Sequence, residues 1–112
     1  MPKAEITWAD FAKLDIRTGT IQEAVVFEKA RVPAYQLKVN FGELGIKKTS
    51  AQITERYKPA DLNGKQVLAV VNFPPKQIAK FMSDCLILGA VEGDDIILVQ
   101  PDSPIKNGLP IG

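Results

Sequence analysis

Between two apolar runs, VLAVV (Val67–Val71) and CLILGA (Cys85–Ala90), the chain carries Asn72, Lys76, Lys80 and Ser83, an amide, two ammonium groups and a hydroxyl. Ammonium groups attract phosphates, while amides and hydroxyls can donate to or accept from bases and 2′-hydroxyls. Pro74 and Pro75 restrict the backbone between them, which lowers the ordering cost left to be met on binding. Upstream, Lys47, Lys48 and Arg56 add cations, and Ser50 and Gln52 add polar groups. Together these nine residues form a candidate surface for RNA. A second reading stays open, in which Asn72 and Ser83 satisfy the loop's own backbone groups and the lysines form a solvated face.

The same loop is also apolar. Phe73, Ile78, Phe81 and Met82 could form a patch for polypeptide, with methionine adapting to varied side chains. The alternative assigns at least two of them to the interior. Tyr35 and Phe41 fall on the inward side of an alternating strand, which leaves Tyr57 and Phe73 as aromatic candidates for a base. Single-strand readers rely on aromatic stacking. So sparse a set points to a structured RNA, recognised through charge and shape.

The absences restrict the chemistry further. There is no histidine, and Cys85 is the single cysteine. A disulfide within the chain, a cysteine-rich zinc site and a histidine-based triad are therefore excluded. Cys85, inside an apolar run, reads as a small core residue. The expectation is a non-catalytic protein without cofactor or metal. Net charge is only +1, yet residues 29–80 hold ten basic and three acidic side chains. Gathered on one surface, they would attract phosphates. No apolar run approaches the ~20 residues of a membrane helix. The opening MPKAEITWAD lacks the apolar core of a signal peptide, so a cytoplasmic location without membrane insertion is expected.

These groups must be positioned by a small β scaffold, because 112 residues make one domain. Thr7 and Asp10 form an N-cap pair opening a short helix, with Ile6 and Phe11 as a hydrophobic staple and Trp8, Phe11 and Ala12 on one face. Asp15 to Phe27 reads as a long first strand, in which Gly19 marks a bulge or bend. AYQLKVNF alternates cleanly, IKKTSAQI runs into a helical turn, and Gln66–Asn72, Cys85–Val91 and Asp95–Gln100 complete the strands. The tail PDSPIKNGLPIG should wrap irregularly. A five-stranded Greek-key OB-fold barrel fits the length and the bent first strand. Periodicity alone leaves an SH3-like barrel open.

Longer motifs narrow this reading. LDIRTGTI, SAQIT, YKP, NGKQVLAVVNF and MSDCLILGA resemble the tRNA-binding domain, found free-standing and appended to methionyl- and phenylalanyl-tRNA synthetases. With ARVPA, VVNFPP, QPD and the NG-xx-IG ending, the likeness is greatest to the free-standing CsaA-type secretion chaperones. The family's Asn-Leu-x-Pro motif stands here as Asn72, Phe73, Pro74 and Pro75, with Lys76 at the usual basic position and Ser83 at the serine. Lys80 replaces a usual glycine. Ser50, Ala51 and Gln52 replace a serine-glycine-leucine pattern, which favours the chaperone subgroup. The resemblance implies an all-β OB-fold homodimer that binds tRNA and unfolded or export-destined polypeptides. Residues 1–13 would form the N-terminal helix and dimerisation arm, and residues 14–112 the domain with its tail.

Overall fold

A computed structural model describes residues 2–112. The long first strand is β1 (Ile16–Val26), and the alternating segment is β2 (Tyr35–Asn40). A 3-10 turn (Gly42–Leu44) leads to β3 (Ile46–Ala51), and α2 (Pro59–Leu62) precedes β4 (Gln66–Val70). Helix α1 (Trp8–Ala12) opens the chain. The remaining strands are β5 (Lys76–Ile78), β6 (Phe81–Ser83), β7 (Leu86–Ile87), β8 (Gly89–Glu92) and β9 (Asp95–Leu98).

The main sheet runs β3-β2-β1-β4-β7, antiparallel at every pairing. It curls until its ends almost meet. The Asp84 amide donates to the Lys48 carbonyl at 2.7 Å, and Thr49 Oγ1 donates to the Cys85 carbonyl at 2.7 Å. The result is the nearly closed five-stranded OB-type barrel that the sequence predicts. Tyr35, Leu37, Val39 and Phe41 all turn into its core, joined by Ile21, Ile53, Leu62 and Val67.

Three expectations change in detail. Gly19 is not the bulge, because it pairs in register with Val67; the register slips instead between Ile21 and Glu23. What Gly19 provides is room. A Cβ there would lie 2.7 Å from both the Phe41 ring and a Val39 methyl. The segment after Pro75, read as a loop, is a two-stranded hairpin, β5–β6. Its tip strains Ala79 to φ 54°, the one non-glycine residue at positive φ among those described. The apolar run from Cys85 is split into β7 and β8 at Leu88, whose amide still donates to the Leu68 carbonyl of β4 while its carbonyl accepts from the Val99 amide just after β9.

The tail is irregular but firmly attached. Its backbone pairs with β1 through Thr18 and Leu109 and through Ile111 and Ile16, at 3.0 and 2.9 Å. Gln66 clamps Ile105 from both ends of its amide, at 2.6 and 2.9 Å. Gly108, at φ +82°, passes so close to the Phe41 carbonyl that a Cβ would collide with it. At the other end, the capping box of α1 forms as expected, with Thr7 and Asp10 exchanging bonds at 3.1 and 3.2 Å. Yet no residue of α1 is buried, and Trp8 is 89% exposed.

Two outcomes test this packing. Gly19→Ala should cost about 1–3 kcal/mol by overpacking Phe41 and Val39, read as a lower unfolding midpoint in denaturant. Burial pushes the Cys85 thiol from 9.0 to about 11, above all by desolvating the thiolate. A thiol reagent at neutral pH should therefore label Cys85 only after denaturation. Because the folded state binds this proton more tightly, stability should fall as pH rises from about 9 through about 11.

Candidate ligand-binding cleft and basic rim

The seam where the barrel nearly closes is not sealed by side chains. A cleft of about 670 Å³ opens there, walled by the end of β3, the Phe73–Pro74 segment, the β5–β6 hairpin, β7 and the β8–β9 hairpin. Its lining is mainly apolar: Ile53, Phe73, Ile78, Leu86, Val91 and Ile96 contribute, among others. Thr49, Ser50, Gln52, Lys76 and Ser83 supply the polar side chains. Phe73 is 50% exposed, so its ring is available to a ligand.

The hairpin's pleat sorts the apolar candidates. Ile78 opposes Phe81 and Lys76 opposes Ser83, so these share one face, while Gln77 and Met82 share the other. Ile78 lines the cleft. Phe81 lies outside it, half-buried against Phe27 with ring centroids 5.4 Å apart. Met82 is exposed on the far face and takes no part in the lining.

Several polar candidates have structural partners. Asn72 accepts from the Asp15 amide at 3.0 Å and donates to the Lys13 carbonyl at 2.7 Å, tying the end of the N-terminal arm to the root of the Phe73 loop. Ser83 Oγ lies 3.1 Å from Thr49 Oγ1 at the barrel seam. Arg56 grips Asp95 with two bonds at 2.8 and 2.7 Å, linking the segment after β3 to β9. That guanidinium holds the Asp95 carboxyl below its ordinary range, first by hydrogen bonding. Tyr57 is no open platform either. Its hydroxyl accepts from the Leu98 amide, its carbonyl accepts from Tyr35, and Lys65 stands over its ring.

The remaining cations divide by position. Lys76 lies on the cleft rim and Lys80 at the hairpin tip, both exposed. Lys48 points outward from β3 and places its ammonium 5.6 Å from the centre of the Phe81 ring. Lys47 occupies the inward register beside Thr49 and is half-buried. The fold thus brings Ser50, Gln52, Phe73, Lys76, Ile78 and Ser83 to the cleft, and gathers Lys48, Lys80 and Phe81 outside it at the hairpin tip. Arg56 and Asn72 are held apart from both.

Thr49 escaped the sequence reading, although it is fully buried and bonds both Ser83 and Cys85. The period-two register was its signal, because Thr49 faces Leu37 on the inward side. Leu86, Val91 and Ile96 were also missed as lining. They sit in apolar runs whose solvent-facing members alternation cannot pick out.

The Asn72 clamp predicts a specific loss. Asn72→Ala removes two partly solvated hydrogen bonds and should lower stability by about 1 kcal/mol. Limited proteolysis should then cut sooner between Lys13 and Asp15, while the barrel's circular dichroism stays unchanged.

Comparison with known proteins agrees with this architecture. Residues 16–110 match the family model "Putative tRNA binding domain". The chain superposes on the chaperone CsaA from Bacillus anthracis str. Ames with a TM-score of 0.93 and 52% identity, covering 97% of this chain and 100% of that one. The CsaA chaperone protein from Picrophilus torridus gives 0.91 and 50%, covering 96% and 100%. A methionine–tRNA ligase from Methanococcoides burtonii is 36% identical over 104 residues, 92% of this chain but 15% of that enzyme. Barrel, motifs and family match coincide over nearly the whole length: the chain belongs to the tRNA-binding domain family.

Proposed function

We propose that this chain is a non-catalytic, cytoplasmic, homodimeric binding protein. It holds unfolded or export-destined polypeptides in the apolar cleft and binds tRNA, or another structured RNA, through the lysines around the β5–β6 hairpin. The observation carrying the polypeptide half is the open cleft itself, with the half-exposed Phe73 ring in its wall. An apolar surface of this kind gains free energy by covering another apolar chain. The RNA half is supported by the family match and by Lys48, Lys76 and Lys80, whose ammonium groups have no carboxylate within salt-bridge distance among the described residues. Similarity to two chaperones supports the first half. The match to a short segment of methionine–tRNA ligase favours the competing reading, a tRNA-binding accessory factor without chaperone activity.

The dimer rests on the arm. Trp8, 89% exposed, lies on a helix too short to be stable alone in water, and Ile6, just before its cap, is 69% exposed. A second copy covering them would supply the missing burial. Sedimentation should show a dimer at micromolar concentration, and a stable folded monomer there would refute it.

The two ligands separate by salt. Affinity for an unmodified tRNA transcript should fall steeply and linearly on a log–log plot against salt, whereas a carboxymethylated, permanently unfolded protein should bind almost independently of salt. Phe73→Ser should weaken the unfolded protein by about 1.5–3 kcal/mol without changing the melting temperature. No binding of the unfolded protein by the wild type would leave the accessory-factor reading.

A further inference from the structure

The apolar cleft takes Lys76, Ile78 and Ser83 of the β5–β6 hairpin and leaves its tip free. At that tip, a separate notch of about 300 Å³ lies between Ala79–Phe81 and the segment following β1. Phe27 and Phe81 form its floor, and Lys29, Lys80 and Glu28 stand around it, with Gln36 on β2. Lys48 belongs to the same cluster through its ammonium over the Phe81 ring. Lys29 and Lys80 line the notch and Lys48 stands over the Phe81 ring, so three cations from three separate segments gather here, whereas Lys76 alone provides a cation in the cleft.

We propose that this notch seats one nucleotide of a bound RNA, and that Lys29 is one of its phosphate contacts. RNA and polypeptide then take neighbouring sites along the hairpin, RNA at its Ala79–Phe81 tip and polypeptide against Ile78 in the cleft. The inference rests on the RNA half of the proposed function and adds to it a place and a residue. Its chemistry has three parts. Lys29 and Lys80 are point charges that can approach a phosphate from two directions. The aromatic floor offers apolar area to a ribose or base edge. Glu28 accepts hydrogen bonds and repels anions, so a bare phosphate ion is disfavoured, while a ribose 2′-hydroxyl can donate to the carboxylate. The volume sits at the lower end of the ~300–1,000 Å³ of small-molecule pockets. That leaves room for one nucleotide unit and not for a polypeptide segment.

The test uses the full chain, an unmodified tRNA transcript and a carboxymethylated, permanently unfolded protein. Lys29→Gln with Lys80→Gln should lower tRNA affinity by roughly an order of magnitude at ~0.1 M salt and reduce the log–log salt slope by about 1.4–1.8. Affinity for the unfolded protein should not change, and saturating tRNA should not displace it. Lys3→Gln with Lys106→Gln removes the same charge from exposed positions outside the notch and should leave the slope nearly intact. An equal effect from that control, an unchanged slope in the notch variant, or mutual displacement of the two ligands would overturn the proposal. If wild-type protein binds tRNA and only the notch variant fails to differ, the site is wrong and the RNA function stands. Absence of tRNA binding by the wild type refutes both.

Discussion

β1 has more neighbours than a straight strand can serve. Its second half, from Thr20 to Val26, pairs with β2, and its first half, from Ile16 to Thr20, pairs with β4. The opposite edge of that first half takes the tail. Such sharing requires the strand to bend, and the register slip between Ile21 and Glu23 supplies the irregularity. Bending also brings β2 across β1, so that Phe41 must lie over position 19. Only a residue without Cβ leaves space for that ring. Barrel curvature, core packing and tail attachment all follow from this one strand.

The same curvature leaves the seam where the ligand surfaces arise. β3 and the Asp84–Cys85 segment approach closely enough for two short hydrogen bonds but do not continue as a ladder. Thr49 occupies a core position with a hydroxyl because the unpaired Cys85 carbonyl needs a donor inside the barrel. Beyond that point the two edges diverge, with the β5–β6 hairpin on one side and β8–β9 on the other. Each hairpin is a separate two-stranded sheet with few backbone ties to the barrel. Arg56 and Asp95 link one of them back at the surface, in an exposed pair of the kind that contributes little to stability.

Much of this was legible in the residues. Strict alternation from Tyr35 to Phe41 identified the core strand, and the Thr7–Asp10 spacing identified the helix start, because both depend on local geometry alone. The hairpin was not legible. Its two strands are only three residues each, and its turn uses Ala79 where glycine or asparagine would announce a positive φ. Nor could sequence separate Lys80 and Phe81 from Ile78, since these neighbours line different hollows only once the tip has been set against the segment after β1. Asn72 and Arg56 looked like ligand contacts because an amide and a guanidinium serve structure and recognition equally well. Their partners, Lys13, Asp15 and Asp95, lie far away in sequence.

The tail's attachment also sets an order of events during synthesis. Residues 108–111 supply the last backbone partners of Ile16 and Thr18, which are translated well before them. Until that distant segment exists, the outer edge of β1 is a row of unsatisfied amides and carbonyls, the kind of edge that invites pairing with a foreign strand. The nascent chain must therefore carry an open sheet edge from the making of β1 until the tail emerges. A cell making this protein gains from keeping neighbouring nascent copies apart until Ile111 has been added.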